Sequence, residues 1–124
     1  MDKTILVVDD EKAIRMILES LLEQRFSVVC LENGEQALEW LQEHKLPDCM
    51  ILDLSMPGID GFEVLRRMHE DRSLANVPVV VLSSKDGSAD RIRCSKLGAQ
   101  EYVVKPFRPV ELEARIESLL RRVR

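Results

Sequence analysis

The chain has 124 residues, of which 45% are hydrophobic and 32% are charged, and its formal net charge is -4. This length is enough for one core and too short for two, so we predict a single domain over residues 1–124. The composition excludes a disordered chain, and the mild negative charge argues against direct nucleic-acid binding by this domain.

Two further features bear on where the protein resides. The longest apolar runs fall well short of a membrane span, and the opening Met-Asp-Lys-Thr does not resemble a secretion signal. Cys30, Cys49 and Cys94 are odd in number and widely spaced, so we interpret them as reduced packing residues. We therefore expect a cytoplasmic protein without a membrane segment.

Short apolar runs and the segments between them alternate along the chain. The runs predict strands at residues 4–8, 27–31, 49–53, 78–82 and 102–104. The intervening segments predict helices at residues 11–25, from the 33–34 turn to 44, 61–69, from 88 to 97, and after residue 107. The inward face of the first helix is predicted to carry Ile14, Ile17, Leu18, Leu21 and Leu22.

Strict alternation of strand and helix predicts the fold class. It implies α/β architecture with a parallel sheet and helices on both faces. Right-handed crossovers then favour a doubly wound, five-stranded sheet of order 2-1-3-4-5, which is the flavodoxin-like arrangement.

Polar residues follow four of the five predicted strands. Asp9 and Asp10 end the first strand, Asp53 the third, Ser83 the fourth and Lys105 the fifth. In the order 2-1-3-4-5 the first and third strands are neighbours, so the three carboxylates should converge at the carboxyl edge of the sheet. Three like charges this close need a counter-ion, and a hard cation such as Mg²⁺ prefers oxygen ligands.

These strand ends resemble the receiver domain of two-component response regulators, and the likeness covers almost the whole chain. The matching pieces are Val-Val-Asp-Asp at 7–10, Leu-Asp-Leu-Ser-Met-Pro-Gly-Ile-Asp-Gly at 52–61, Val-Leu-Ser-Ser at 81–84 and Val-Val-Lys-Pro-Phe at 103–107. The resemblance implies a CheY-like (βα)₅ fold and a phosphorylation-activated signalling switch. It implies a regulatory domain rather than an enzyme, with only self-phosphorylation from small donors and slow autodephosphorylation.

The resemblance also implies roles for individual residues. Asp53 is expected to accept a phosphoryl group from a sensor histidine kinase or phosphotransfer protein. Asp10, Asp53 and the carbonyl of Ser55 are expected to ligate Mg²⁺, with Asp9 assisting through water. Ser55 and Lys85 should flank the water that hydrolyses the acyl phosphate.

Three further residues complete the implied switch. Ser83 is expected to bind the phosphoryl oxygens and Lys105 to pair with them, while Tyr102 swings inward together with Ser83. The same resemblance, and the sharp turn needed to bring Lys105 over Asp53, predict a cis peptide bond between Lys105 and Pro106.

The last two helices and the strand between them carry both signs of charge, which suits a self-complementary surface. The pattern resembles the dimer face of the OmpR/PhoB class, whose receivers are joined to winged-helix DNA-binding domains. It implies a phosphorylation-dependent homodimer in which Arg91 pairs with Glu111, and Glu101 with Arg115, across the two-fold axis. The i,i+4 spacing of Glu111 and Arg115 favours a competing pair within one helix.

Three other functions are weighed against this hypothesis. A haloacid-dehalogenase-type phosphatase needs an acidic residue two positions after its nucleophile, where this chain has Ser55. A flavodoxin-like carrier needs a phosphate-binding loop after the first strand, where Asp9 and Asp10 would repel phosphate. A pseudo-receiver that only mediates contacts would have lost acceptor, metal or switch residues. Both a stand-alone receiver and a piece of a longer regulator fit the sequence.

Overall fold

The computed structural model describes residues 3–122 as five strands that alternate with five helices. The strands are β1 Thr4–Val8, β2 Ser27–Leu31, β3 Cys49–Asp53, β4 Val79–Ser83 and β5 Glu101–Val104. The helices are α1 Lys12–Leu22, α2 Gly34–Glu43, α3 Gly61–Glu70, α4 Ser88–Lys96 and α5 Pro109–Arg122.

All neighbouring strands are parallel, and the sheet order is β2-β1-β3-β4-β5. The predicted fold class and strand order are therefore confirmed. β1 lies beside β3 with Val8 opposite Leu52, and β4 lies between β3 and β5. The chain reverses direction across the sheet between β1 and β3, which is where open α/β sheets place their ligand sites.

Alternating side chains of the buried strands form two hydrophobic cores. On one face Leu6, Val8, Met50 and Leu52 pack with residues of α2, α3 and α4. The other face packs against α1 and α5 through the alternate strand positions, which include Ile5, Val7, Cys49, Ile51, Val80 and Leu82. Two covered faces explain why these strands read as continuous apolar runs.

Helix α1 differs from its prediction in two respects. It ends at Leu22 rather than at residue 25, because the chain turns over residues 23–25 and the N–H of Phe26 donates to the Leu22 carbonyl. The expected inward orientation of Ile17 is wrong, since its side chain is 47% exposed. Leu18 and Leu22 are buried and half-buried Ile14 and Leu21 pack beside them, so Ile17 lies at the edge of the apolar stripe.

The remaining local predictions are close to the structure. The helix predicted from 88 to 97 is α4, Ser88–Lys96, and Gly98 just beyond it has a φ of 95°, which is typical of a glycine that ends a helix. The Lys105–Pro106 bond is cis, which confirms that prediction. All three cysteines are free. No helix among residues 3–122 is long and apolar enough to cross a membrane.

Candidate functional site

Three carboxylates meet at the carboxyl edge of the sheet, as the sequence predicts. Asp9 and Asp10 directly follow β1, and Asp53 is the last residue of the adjacent strand β3. One oxygen from each of these carboxylates lies within 4.8 Å of the other two. Because their positions are set by the ends of two paired strands, the cluster depends on the sheet rather than on a flexible loop.

The carboxylates differ in their exposure to water. Asp9 is fully buried, Asp53 is 3% exposed, and Asp10 is exposed. Burial and the nearby charge of Asp9 raise the pKa of Asp53 to about 7, although the Lys105 ammonium acts in the opposite direction. Burial also raises the pKa of Asp9, against the lowering effect of the Glu11 backbone N–H. The cluster therefore concentrates negative charge that the protein alone does not fully neutralise.

A free acceptor atom in this cluster fits a bound cation. One oxygen of Asp9, Oδ1, accepts a hydrogen bond from the Glu11 N–H at 2.9 Å. The other, Oδ2, contacts the Lys105 ammonium at 3.0 Å, but within residues 3–122 it is a buried oxygen left without a hydrogen bond of good geometry. A hard divalent cation with carboxylate and water ligands suits such a donor set, and Mg²⁺ has this preference.

Lys105 supplies the positive charge of the site. It follows β5, and its backbone N–H donates to the Ser83 carbonyl at 2.8 Å, which fixes the start of the β5–α5 loop against β4. Its Nζ lies 3.0 Å from Asp9 Oδ2, 2.8 Å from Glu11 Oε1 and 3.4 Å from Asp53 Oδ1. Burial would lower the pKa of Lys105, but the nearby carboxylates of Glu11, Asp9 and Asp53 outweigh this effect and hold the pKa above its ordinary value.

Two serines lie beside Asp53. Ser83 ends β4, is 4% exposed, and accepts a hydrogen bond on Oγ from the Lys85 N–H at 3.0 Å. Exposed Ser55 directs its N–H towards Asp53 Oδ1 at 3.4 Å. Ser55, Ser83 and Lys85 line a cleft of about 440 Å³, whose apolar wall includes Phe62. A small molecule can therefore reach the Ser83 side of the site from solvent.

Tyr102 lies on β5, next to the strand that carries Ser83. The ring is half-buried, and its hydroxyl donates to the Lys85 carbonyl at 2.8 Å. The guanidinium of Arg91 lies 4.7 Å from the ring centroid and pairs with Asp86 at 2.9 Å. In this structure Tyr102 therefore holds the β4–α4 loop from outside.

The charged residues of the expected dimer face are paired within the chain. Arg115 binds Glu101 at 2.9 Å and Glu111 at 3.3 Å, and Arg122 also binds Glu101, at 3.2 Å. Arg91 pairs with Asp86 rather than Glu111. The competing Glu111–Arg115 pair is confirmed, whereas pairing across a two-fold axis stays a prediction.

Two residues that contact the site were not predicted. The side chain of Glu11 binds Lys105, and Arg15 donates from Nη1 to the carbonyl of Asp9 at 2.9 Å. Glu11 continues the acidic run after β1, and Arg15 lies one helical turn further on, so their proximity to Asp9 is readable from the sequence. Their partners depend on how β5 and α1 approach that edge.

Comparison with known proteins agrees with this geometry. The family model of the response regulator receiver domain matches residues 5–117. The chain belongs to this family. As a receiver domain it is part of the two-component signalling systems. Its strand-end residues therefore need no explanation as those of a phosphatase or a flavodoxin-like carrier.

Relatives of this receiver domain are transcriptional regulators. It is 48% identical over 122 residues to the probable transcriptional regulator ycf27 of Cyanophora paradoxa, covering 97% of this chain and 49% of that protein. It is 38% identical over 123 residues to the alkaline phosphatase synthesis transcriptional regulatory protein PhoP of Bacillus subtilis, covering 98% and 50%. The chain thus spans about half the length of these curated relatives.

A solved structure of another response regulator has the same fold as this chain. The response regulator DrrB, a Thermotoga maritima OmpR/PhoB homologue, superposes with a TM-score of 0.88 at 30% identity. The match covers 98% of this receiver domain and 54% of the DrrB chain.

Proposed function

We propose that Asp53 is the phosphoacceptor of this receiver domain and that phosphoryl transfer requires Mg²⁺. The observation that carries the proposal is the convergence of the Asp9, Asp10 and Asp53 oxygens within 4.8 Å. The Lys105 ammonium lies 3.0 Å from Asp9 and 3.4 Å from Asp53. An Asp53 oxygen forms a bond to phosphorus while the bond from phosphorus to the donor's leaving group breaks. The donor is a sensor histidine kinase, a phosphotransfer protein or a small phosphodonor.

The residues around Asp53 support both binding and transfer. Asp10, Asp53 and the Ser55 carbonyl would hold Mg²⁺, with Asp9 assisting through water. A bound Mg²⁺ would offset the negative charge that the phosphoryl group brings against the carboxylates. Lys105 pairs with the phosphoryl oxygens, and Ser83 donates its hydroxyl to them. Slow hydrolysis by water, flanked by Ser55 and Lys85, returns Asp53 to its free form.

The experiment is a labelling assay with small phosphodonors. Incubation with acetyl phosphate or phosphoramidate and Mg²⁺ should place an acyl phosphate on Asp53, mapped by mass spectrometry. Asp53→Asn should take up no label, and EDTA should abolish labelling of the wild type. Label that persists in either case contradicts the proposal. A titration with Mg²⁺ and beryllofluoride separates a working acceptor from a pseudo-receiver, because only a working acceptor should bind both.

The output of the domain is proposed to be a change of its α4-β5-α5 surface. When Asp53 is phosphorylated, Ser83 moves towards the phosphoryl oxygens and Tyr102 turns inward behind it. This surface then shifts towards a symmetric homodimer in which Arg91, Glu101, Glu111 and Arg115 exchange partners between chains. The domain acts in the cytoplasm and does not itself bind nucleic acid or a membrane.

A further inference from the structure

The closest charged partner of the Lys105 ammonium lies outside the three-carboxylate cluster. Nζ is 2.8 Å from Glu11 Oε1, compared with 3.0 Å from Asp9 Oδ2 and 3.4 Å from Asp53 Oδ1. Charge-assisted hydrogen bonds between an ammonium and a carboxylate are typically about 2.7–2.9 Å long. The contact with Glu11 is therefore a full hydrogen bond, and the one with Asp53 is only a loose ion pair.

Glu11 holds Lys105 from the solvent side of the site. The Glu11 side chain is 57% exposed, whereas that of Lys105 is 12% exposed and that of Asp53 is 4% exposed. The ammonium thus lies between an outer carboxylate at the rim and an inner carboxylate at the floor. An ammonium has three N–H donors, so each one directed at Glu11 is withheld from an anion on Asp53.

We propose that Glu11 is a positioning residue that retains the Lys105 ammonium at the rim before phosphoryl transfer, so that acceptance by Asp53 includes the release of this contact. The inference rests on the proposed function of Asp53, and it adds a competing carboxylate that slows the reaction. Once the phosphoryl group is attached, its oxygens replace Glu11 as the partner of Lys105. Glu11 therefore affects the forward transfer more than the later hydrolysis.

The side chain of Glu11 can be changed with little effect on the rest of the site. Its backbone N–H binds Asp9 Oδ1, and that bond remains whichever side chain is present. Glu11 precedes the first residue of α1, but its carboxylate makes no capping hydrogen bond to that helix. A substitution at this position therefore tests the contact with Lys105 rather than the stability of α1.

A second effect of Glu11 must be separated from its contact with the Lys105 ammonium. Its negative charge also repels an anionic phosphodonor, and removal of the charge would speed up labelling for that reason alone. Glu11→Asp keeps the charge but shortens the side chain by about 1.5 Å, which breaks the 2.8 Å contact with Lys105. Glu11→Gln removes the charge and leaves only a neutral acceptor.

The test measures the labelling rates of the wild-type receiver domain, Glu11→Gln and Glu11→Asp at saturating Mg²⁺ across a range of phosphoramidate concentrations. Both variants should raise the maximal rate constant by about two- to fivefold, the range expected for loss of one partly exposed ion pair. The rate constant of dephosphorylation should change less than that of labelling. Glu39→Gln, which removes an exposed carboxylate from α2, controls for net charge and should behave as wild type.

The outcomes separate this inference from the proposed function. Suppose that only Glu11→Gln is labelled faster, and that the gain lies in the apparent affinity for the donor. Repulsion of the donor then explains the effect, and the proposed role of the Glu11–Lys105 contact is overturned. Unchanged or slower labelling of both variants overturns it as well. A wild type that takes up no label at all contradicts the proposed function of Asp53, and the inference falls with it.

Discussion

The hydroxyl of Tyr102 donates a hydrogen bond to the backbone carbonyl of Lys85 at 2.8 Å, which fastens the β4–α4 loop to β5. Arg91 reinforces the contact, since it covers the Tyr102 ring and pairs with Asp86 in the same loop. Ser83 directly precedes this loop and accepts a hydrogen bond from the Lys85 N–H. An inward movement of Ser83 and Tyr102 must therefore break two hydrogen bonds of the Lys85 backbone. One is accepted by its carbonyl from Tyr102, and the other is donated by its N–H to Ser83.

We expect Tyr102→Phe to loosen the β4–α4 loop in the unphosphorylated protein. The variant keeps the ring but loses one hydrogen bond, which costs about 0.5–1.5 kcal/mol of local stability. Amide hydrogen exchange at residues 84–88 should be about three- to tenfold faster than in the wild type. Exchange within α2, which follows β2 at the opposite edge of the sheet, serves as the internal reference.

Activation should remove that difference. If Tyr102 leaves Lys85 when Asp53 is occupied, the wild type has lost the same hydrogen bond, so the two proteins should exchange alike with Mg²⁺ and beryllofluoride. A difference that persists after activation would mean that Tyr102 stays in place and is a packing residue.

Mutation of Asp53 should stabilise the metal-free protein at neutral pH. Burial and the charge of Asp9 raise the pKa of Asp53 from 3.8 to about 7, so the folded state keeps this proton to a higher pH than the unfolded state. Ionisation between pH 4 and 7 then opposes folding, and the free energy of unfolding falls as pH rises through that window. Asp53→Asn removes this penalty and should gain up to about 4 kcal/mol above pH 7.

Denaturant titrations at pH 4 and pH 7.5 in EDTA check whether Asp53→Asn raises the free energy of unfolding. The variant and the wild type should be nearly equally stable at pH 4 and should differ at pH 7.5. Added Mg²⁺ should stabilise the wild type more than Asp53→Asn, because the ion needs the ionised carboxylate. A wild type that is more stable than Asp53→Asn at pH 7.5 in EDTA would contradict the expected repulsion.

Gly61, the first residue of α3, packs closely against the end of β3 that carries Asp53. A Cβ atom at this position would lie 2.5 Å from the Asp53 carbonyl oxygen and 2.7 Å from Leu54 Cα, both of them backbone atoms. Gly61→Ala must therefore displace the end of β3 or the start of α3. We expect a loss of about 1–3 kcal/mol in unfolding free energy and weaker Mg²⁺ binding.

Gly87 provides the matched control for Gly61. A Cβ atom at Gly87 would meet no heavy atom within 4 Å. Gly87→Ala reduces the entropy of the unfolded chain and replaces a better helix-capping residue, and these effects should cancel to within about 1 kcal/mol. Equal losses in both alanine variants, measured by urea titration and Mg²⁺ binding, would show that crowding at Gly61 is not the cause.

The sheet and its carboxylate cluster could be predicted because both depend on local patterns. Buried parallel strands read as apolar runs, and strand order places Asp9, Asp10 and Asp53 at one edge regardless of side-chain detail. Ser83 and Lys105 follow from the same rule, since they lie at the ends of paired strands β4 and β5.

Other features depend on tertiary contacts that no local pattern records. Exposure of Ile17 depends on how α1 is rotated against β1 and α5, and its spacing alone fits the buried stripe. The contact of Glu11 with Lys105 joins residues 94 positions apart, so it needs the β5–α5 loop in place. Partner choice by Arg115 is ambiguous for a similar reason, because Glu101 and Glu111 both lie within its reach.

The paired charges of the α4-β5-α5 surface lead to the last prediction, which concerns the oligomeric state. Arg115 is already bound to Glu101 and Glu111 within one chain, and Arg91 to Asp86. Exchange of these pairs for partners in a second chain yields little net free energy, because exposed ion pairs are individually weak. We therefore expect the unphosphorylated protein to be monomeric at micromolar concentration and to dimerise only when activation reshapes the surface.

Sedimentation velocity with and without Mg²⁺ and beryllofluoride tests this expectation. The activated wild type should dimerise, and Arg115→Glu should shift the dissociation constant by about tenfold or more towards monomer, since it places like charges against Glu101 and Glu111. Arg72→Glu makes the same charge change on the exposed α3–β4 connection and should leave dimerisation unchanged. An activated wild type that stays monomeric, or an Arg115→Glu variant that dimerises normally, would indicate that this surface binds a separate effector instead of a second copy.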